Sequence, residues 1–190
     1  SQPILSDGPV YRYMMNRFGQ VFTSKEICQY RGKDHWIMVG RVAGIDNKAH
    51  NLHLTFLSQD GKKADIEPNK RVMSGSLPAG CAIRLSPAMP TMGIAEGIET
   101  AIAASMLFKM PVWSAINAQN LAKWIPPEVA RTVVVFGDND MNYTGHAAAY
   151  TLARRLMTQY QIEASVMIPP SAGQDWADVL APASKDQDLL

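Results

Sequence analysis

At 190 residues, with 47% hydrophobic and 18% charged side chains, the sequence describes a folded protein with one sizeable core or two small subdomains, not a disordered chain. No apolar stretch is long enough to cross a bilayer, and Ser1-Gln2-Pro3-Ile4 lacks a signal peptide's basic and apolar regions, so the expected location is the cytoplasm with no membrane partner. Cys28 and Cys81 stand far apart without a CxxC or Cys/His cluster, so neither a zinc ribbon nor a disulfide framework is indicated.

The net charge of +1 conceals an asymmetry. Residues 1–90 carry twelve Lys/Arg against seven Asp/Glu, net +5, whereas residues 91–190 carry six against ten, net −4. A basic segment beside an acidic one suits a polyanion held by one part and worked on by the other; ordinary solvated charge is the competing reading.

In chain order, Val10 to Gly19 has an apolar stripe at helical spacing stopped by Gly19, and Thr23-Ser24-Lys25-Glu26 predicts the cap of a second short helix. From His35 to Leu85 the texture changes to short β-type runs, His35–Val39 and Asn51–Leu57, separated by turn formers. This predicts an antiparallel meander in which Asp60-Gly61 makes a tight turn and Lys62-Lys63 begin the return, followed by Lys70-Arg71. Ser86-Pro87-Ala88-Met89-Pro90 marks a boundary, beyond which strands and helices alternate. Strands are expected at 91–95, 111–115, 132–136 and 164–168, and helices at 99–110, 118–124 and 145–160. That alternation implies parallel β/α units with right-handed crossovers. The division is therefore a basic α+β subdomain over 1–88, an α/β domain over 89–182 and a flexible tail over 183–190.

The chemistry-bearing residues lie at the ends of two of these strands. Val133-Val134-Val135-Phe136 runs into Gly137-Asp138-Asn139-Asp140, a buried strand delivering two carboxylates to its carboxyl end, where open α/β sheets place ligands. Alternation lets Asp138 and Asp140 face the same way. A turn or a helix cap is the plain alternative for this pair. Glu96-Gly97 ends the 91–95 strand, so Glu96 is a third oxygen donor or a general base, and Gly97 leaves room for close approach. Carboxylates so grouped suit Mg²⁺, which is commonly held by one or two of them plus substrate phosphates.

Glu-Gly at one strand end, Asp-x-Asp at a later one and a helix opened by Gly145 resemble the order of acidic motifs in Toprim domains. The strings Ile94–Ala101, Gly137–Asp140 and Asp175–Leu180 are similar more narrowly to phage and plasmid Toprim primases of the bacterial type. Upstream, Tyr11–Gly19, His35–Gly44 and Leu57–Lys63 resemble the basic half of the same polymerase core. The resemblance implies a Toprim-type parallel β/α domain preceded by a smaller basic α+β subdomain. It implies DNA primase activity, a nucleotidyltransferase reaction that makes RNA primers from NTPs on a single-stranded DNA template. It further implies Mg²⁺ or Mn²⁺ as cofactor, no zinc in this chain, and a replicative helicase, or a helicase domain of a parent protein, as partner.

Carried over by residue, the resemblance makes Glu96, Asp138 and Asp140 catalytic. It adds Asp175 to them as a metal ligand, with Asp178 beside it. Where cellular primases often carry an acid four residues after the Glu, this chain has Thr100, and Glu99 stands one place earlier as a further acidic candidate. Arg41, Lys62, Lys63, Lys70, Arg71 and Gly97 are the expected nucleic-acid and NTP contacts, with Arg12 and Arg17 as weaker nominations of the same kind and a solvated hairpin as the other reading of the lysines. The zinc module expected before such a core and the helicase expected after it are not in the sequence, as in a catalytic fragment or stripped-down relative. The rival functions are a Toprim nuclease and a nucleic-acid-binding module without turnover.

Overall fold

The structure, a computed structural model, describes residues 2–181, so the expected tail over 183–190 lies outside the described residues. Helix α1 (Pro9–Phe18) begins with proline at its first turn and ends on Gly19 in the left-handed conformation, as the stripe predicts. The second short helix expected from a cap at 23–26 is absent, and a strand begins at Ile27 in its place. The Ser24 hydroxyl instead accepts from the Glu26 amide at 3.2 Å, a local turn that competes with a helical start. Strands β1 (Ile27–Arg31), β2 (Trp36–Ala43), β3 (Ala49–Leu57) and β4 (Lys70–Val72) then form an antiparallel sheet in sequence order. At the β3 turn, Gly61 has φ +76°, and a Cβ there would come within 2.6 Å of the Tyr13 backbone nitrogen. A side chain is thus excluded twice, by conformation and by the approach of α1.

The second half contains β5 (Thr91–Ala95), α2 (Ile98–Phe108), β6 (Val112–Ser114), α3 (Ala118–Lys123), β7 (Thr132–Phe136), α4 (Thr144–Gln159), β8 (Glu163–Met167) and α5 (Trp176–Leu180). Its four strands pair in parallel, in the order β6-β5-β7-β8. Helix α2 packs with α1 and α5 in one core cluster that holds Tyr13, Met14, Ile98, Ile102 and Trp176. A second cluster, with Leu121, Trp124, Ala149 and Leu152, joins α3 and α4 to the other face. The sheet is therefore covered on both sides, which explains why its strands read as continuous apolar runs rather than alternating ones.

Two features tie the halves together. The first cluster runs from Val10, Ile27 and Met38 through to Ala101 and Phe136, so the change of texture at 86–90 is not a gap in packing. In addition, Ala82 exchanges both backbone hydrogen bonds with Ala43 of β2, and Ile83 exchanges both with Ser114 of β6. The segment before the boundary thus belongs to both sheets.

Candidate active site

The chain leaves β5 for β6 on one side and returns to β7 on the other. The point where the winding reverses lies between β5 and β7, and a crevice opens there beyond the strand ends. Glu96 follows β5 and Asp138 lies just past β7, so the sheet order alone brings them together. They line a cavity of about 310 Å³ with Gly97, Glu99, Thr100, Asn117 and Asp175 from the acidic half and His53, Lys70 and Arg71 from the basic one.

The backbone around Asp138 is fixed from several sides. Gly145 at the start of α4 sits so close that a Cβ there would lie 2.6 Å from the Asp138 carbonyl oxygen. Asn139 turns the other way, and its side chain donates to the Pro169 carbonyl at 2.8 Å. Its backbone holds Gly173 and Gln174, which set the position of Asp175. Asp140 accepts from the Gly145 amide at 3.1 Å, so part of its role is that of a turn acceptor. Ser114 donates to the Glu96 carbonyl and accepts from the Ile116 amide, both at 3.2 Å. Ile116, a β-branched residue at φ +81° on the cavity wall, holds an unfavourable conformation there.

Two carboxylates in this cavity are short of positive charge. Burial, reinforced by the charge of Glu96, pushes Asp138 up to about 7, although the Thr100 hydroxyl donates to it at 3.0 Å and works the other way. Burial and the charge of Asp140 likewise raise Glu96, opposed by the Ala118 amide and Lys70. Glu96 Oε2 is buried without a hydrogen-bond partner. Among the described residues no three His, Cys, Asp or Glu side chains converge closely enough to hold an ion by themselves.

Glu99 is in the opposite state. It is 3% exposed, yet Tyr13 donates to it at 2.5 Å, Lys70 at 2.7 Å, and Lys63 lies 3.1 Å away. Burial alone would raise its pKa; the two ammonium groups and the Lys70 and Tyr13 hydrogen bonds overrule it and hold Glu99 ionised far below the usual carboxylate range. Asp175 and Asp178 are also matched. They form the capping box of α5, and Arg17 lies 3.0 Å from Asp175 and 2.7 Å from Asp178.

The sequence candidates therefore fall into distinct groups. Glu96, Gly97, Glu99, Asp138, Asp175, Lys70 and Arg71 share the cavity, and the charge of Asp140 is felt at Glu96. Arg71 opposes Leu54 in the β3–β4 ladder and stacks over the Phe56 ring at 4.6 Å, so its guanidinium lies on the sheet face away from Lys70 and His53, and the residue borders the cavity without aiming its charge into it. Lys63 and Lys70 are engaged by Glu99, Lys62 pairs with Asp60 on the surface, Arg12 pairs with Asp7, and Arg41 is bound by Glu26 and the Asn47 carbonyl. Sequence reasoning did not foresee Tyr13, Thr100 and Asn117 at the site, or the Arg17 contact with Asp175; only the i, i+4 spacing of Tyr13 and Arg17 on one helix face offered a signal. His53 also lines the cavity, where burial lowers it to about 4 and keeps the ring neutral.

A family model described as "Toprim domain" matches residues 91–186. Comparison with curated protein sequences finds no match. Among solved structures, the primase fragment of the bacteriophage T7 primase-helicase superposes with a TM-score of 0.60 at 13% identity, covering 94% of this chain and 69% of that one. A DNA primase domain from Pseudomonas aeruginosa gives 0.52 at 11% identity, covering 88% and 53%. A DnaG primase catalytic domain bound to single-stranded DNA gives 0.54 at 9%, covering 89% and 56%. The chain thus spans between about half and two thirds of the length of these structures, and at such identities the likeness is one of fold.

Proposed function

The chain belongs to the Toprim domain family, and we propose from that premise that it is the catalytic core of a DNA primase of the phage or plasmid type. In this reading it joins NTPs into an RNA primer on a single-stranded DNA template. The observation that carries the proposal is the cavity in which the unneutralised carboxylates Glu96 and Asp138 of the acidic half stand beside Lys70 of the basic half. A nucleoside triphosphate needs both.

The residues fit a divalent cation. A buried Glu96 oxygen without a donor, beside an Asp138 raised by burial and by the charge of Glu96, is the arrangement that a cation neutralises. Two carboxylates suffice for Mg²⁺ or Mn²⁺ when substrate phosphates complete the shell. Glu96 and Asp138 would hold the ion, with Asp140 adding its field. Once bound, the metal would acidify the primer 3′-hydroxyl and offset charge on the departing pyrophosphate.

The rest of the work falls to the chain. The 3′-oxygen forms its bond to the α-phosphorus as the bond to pyrophosphate breaks, so negative charge grows on the leaving group. Lys70, whose charge already reaches Glu96, stands at the cavity wall to meet that charge. Amides at the start of α2, next to the open backbone of Gly97, offer further donors to phosphate. Thr100 holds the Asp138 carboxylate in place. A replicative helicase is the expected partner, in the cytoplasm.

A template-directed assay with labelled NTPs tests this. Primers should appear only with Mg²⁺ or Mn²⁺ and vanish when Asp138→Asn and Asp140→Asn are combined. Synthesis that survives the double substitution, or metal-dependent cleavage of nucleic acid without NTPs, overturns the proposal.

A further inference from the structure

We infer that Arg17 takes the place of a second metal ion in this site, so that the chain binds one divalent cation and Asp175 is not its ligand. The inference rests on the reading of the cavity as a metal centre and concerns how many ions it holds. The acids around the cavity divide sharply by what already neutralises them. Arg17 Nη2 lies 3.0 Å from each oxygen of Asp175, and Nη1 lies 2.7 Å from Asp178. The same two carboxylates accept backbone bonds across α5: the Asp178 amide donates to Asp175 Oδ1 at 2.8 Å, and the Asp175 amide donates to Asp178 Oδ2 at 3.0 Å. A carboxylate has about four lone-pair positions, so three of those on Asp175 are occupied before any ion arrives.

Glu99 is equally spent, on Tyr13, Lys63 and Lys70. Thr100 is neutral. Of the acids at the cavity, only Glu96, Asp138 and Asp140 have no cationic partner among the described residues, and Asp140 stands outside the lining and already accepts from the Gly145 amide, so Glu96 and Asp138 are left as the pair for one ion. The geometry has a single source: Tyr13 and Arg17 are four residues apart on α1, so one helix face delivers a phenol to Glu99 and a guanidinium to Asp175. Arg17 and Asp175 have side chains only 24% and 29% exposed, so water screens the pair less than a surface one. A guanidinium is permanently charged and sheds water more readily than ammonium, so, unlike a bound metal, it is not lost to chelation.

Manganese titration of the full chain, with free Mn²⁺ counted by its EPR signal, tests the stoichiometry without reference to activity. One ion per chain is expected, lost in Asp138→Asn and retained in Asp175→Asn. Arg17→Met should uncover a second, weaker ion that Arg17→Met combined with Asp175→Asn does not bind. Two ions on the wild-type chain with one lost in Asp175→Asn, or a folded Arg17→Met that still binds only one, overturns the inference. If Arg17→Met does not fold, the wild-type and Asp175→Asn counts decide it. A chain that binds one such ion but makes no primer keeps this inference and removes the primase reading.

Discussion

Replacing Asp138 by Asn should stabilise the metal-free protein while abolishing its chemistry. The reason is the raised ionisation of Asp138, from an ordinary 3.8 to about 7, caused first by burial and then by Glu96. Because the folded pKa lies above the unfolded one, the native state binds the proton more tightly, and stability falls as pH rises from about 4 to about 7. Each unit corresponds to about 1.36 kcal/mol, so the ceiling is about 4 kcal/mol; sharing of the proton with Glu96 and local relaxation bring the expected penalty at pH 8 to about 2 kcal/mol. Asparagine removes the charge and keeps an oxygen for the Thr100 hydroxyl. Urea unfolding in EDTA is the assay. Asp138→Asn should exceed the wild type by about 2 kcal/mol at pH 8, with the gain vanishing near pH 4. Adding Mg²⁺ at pH 8 should raise the wild-type midpoint and leave the variant's unchanged. A variant no more stable than wild type at pH 8, or a gain of equal size at both pH values, would refute the reasoning.

Glu99→Gln should lower stability by about 3 kcal/mol at neutral pH, because it leaves Lys63 and Lys70 facing each other without their shared counter-charge. The sign of its pH dependence is opposite to that of Asp138. The folded pKa of Glu99 is depressed, so its contribution is present at neutral pH and is lost only as pH falls below the ordinary carboxylate range, which acid unfolding of wild type and variant side by side will show. Gly145→Ala should cost about 1–3 kcal/mol by overpacking, since its Cβ would meet the Asp138 backbone. It should also shift the Asp138 and Asn139 amide resonances in a ¹⁵N spectrum; unchanged resonances would mean that the close approach does not position the carboxylate.

The second half of the fold is written locally. β5 and β7 occupy the expected residues because each is a short apolar, β-rich run bounded by turn formers, a signal that needs no partner to be read. Where they deliver Glu96 and Asp138 follows from strand order, which the β/α alternation suggests. The failures are of two kinds. At 23–26 a serine that suits a cap equally suits a turn, and the structure uses it for the turn. α5 is only five residues long and owes its start to the Asp175–Asp178 capping box, too little sequence for periodicity to register. The long-range pairings are a deeper loss. Lys63, Lys70 and Arg17 look like free cations in the sequence, and nothing in the chain's order says that Glu99, Asp175 and Asp178 will claim them.

The residues 82–83 that bond to both sheets have a mechanical consequence. Two polypeptide halves joined by a lone linker can swing apart like a jaw, but here the linker is itself a rung in each ladder. Swinging would break the backbone bonds of Ala82 or of Ile83 and part a common core. The cleft between the halves is therefore a jig of fixed gap. In the proposed reaction, a primer–template duplex lengthening within it would gain no room from a hinge, and each added base pair would have to be accommodated by advancing the strands through the gap.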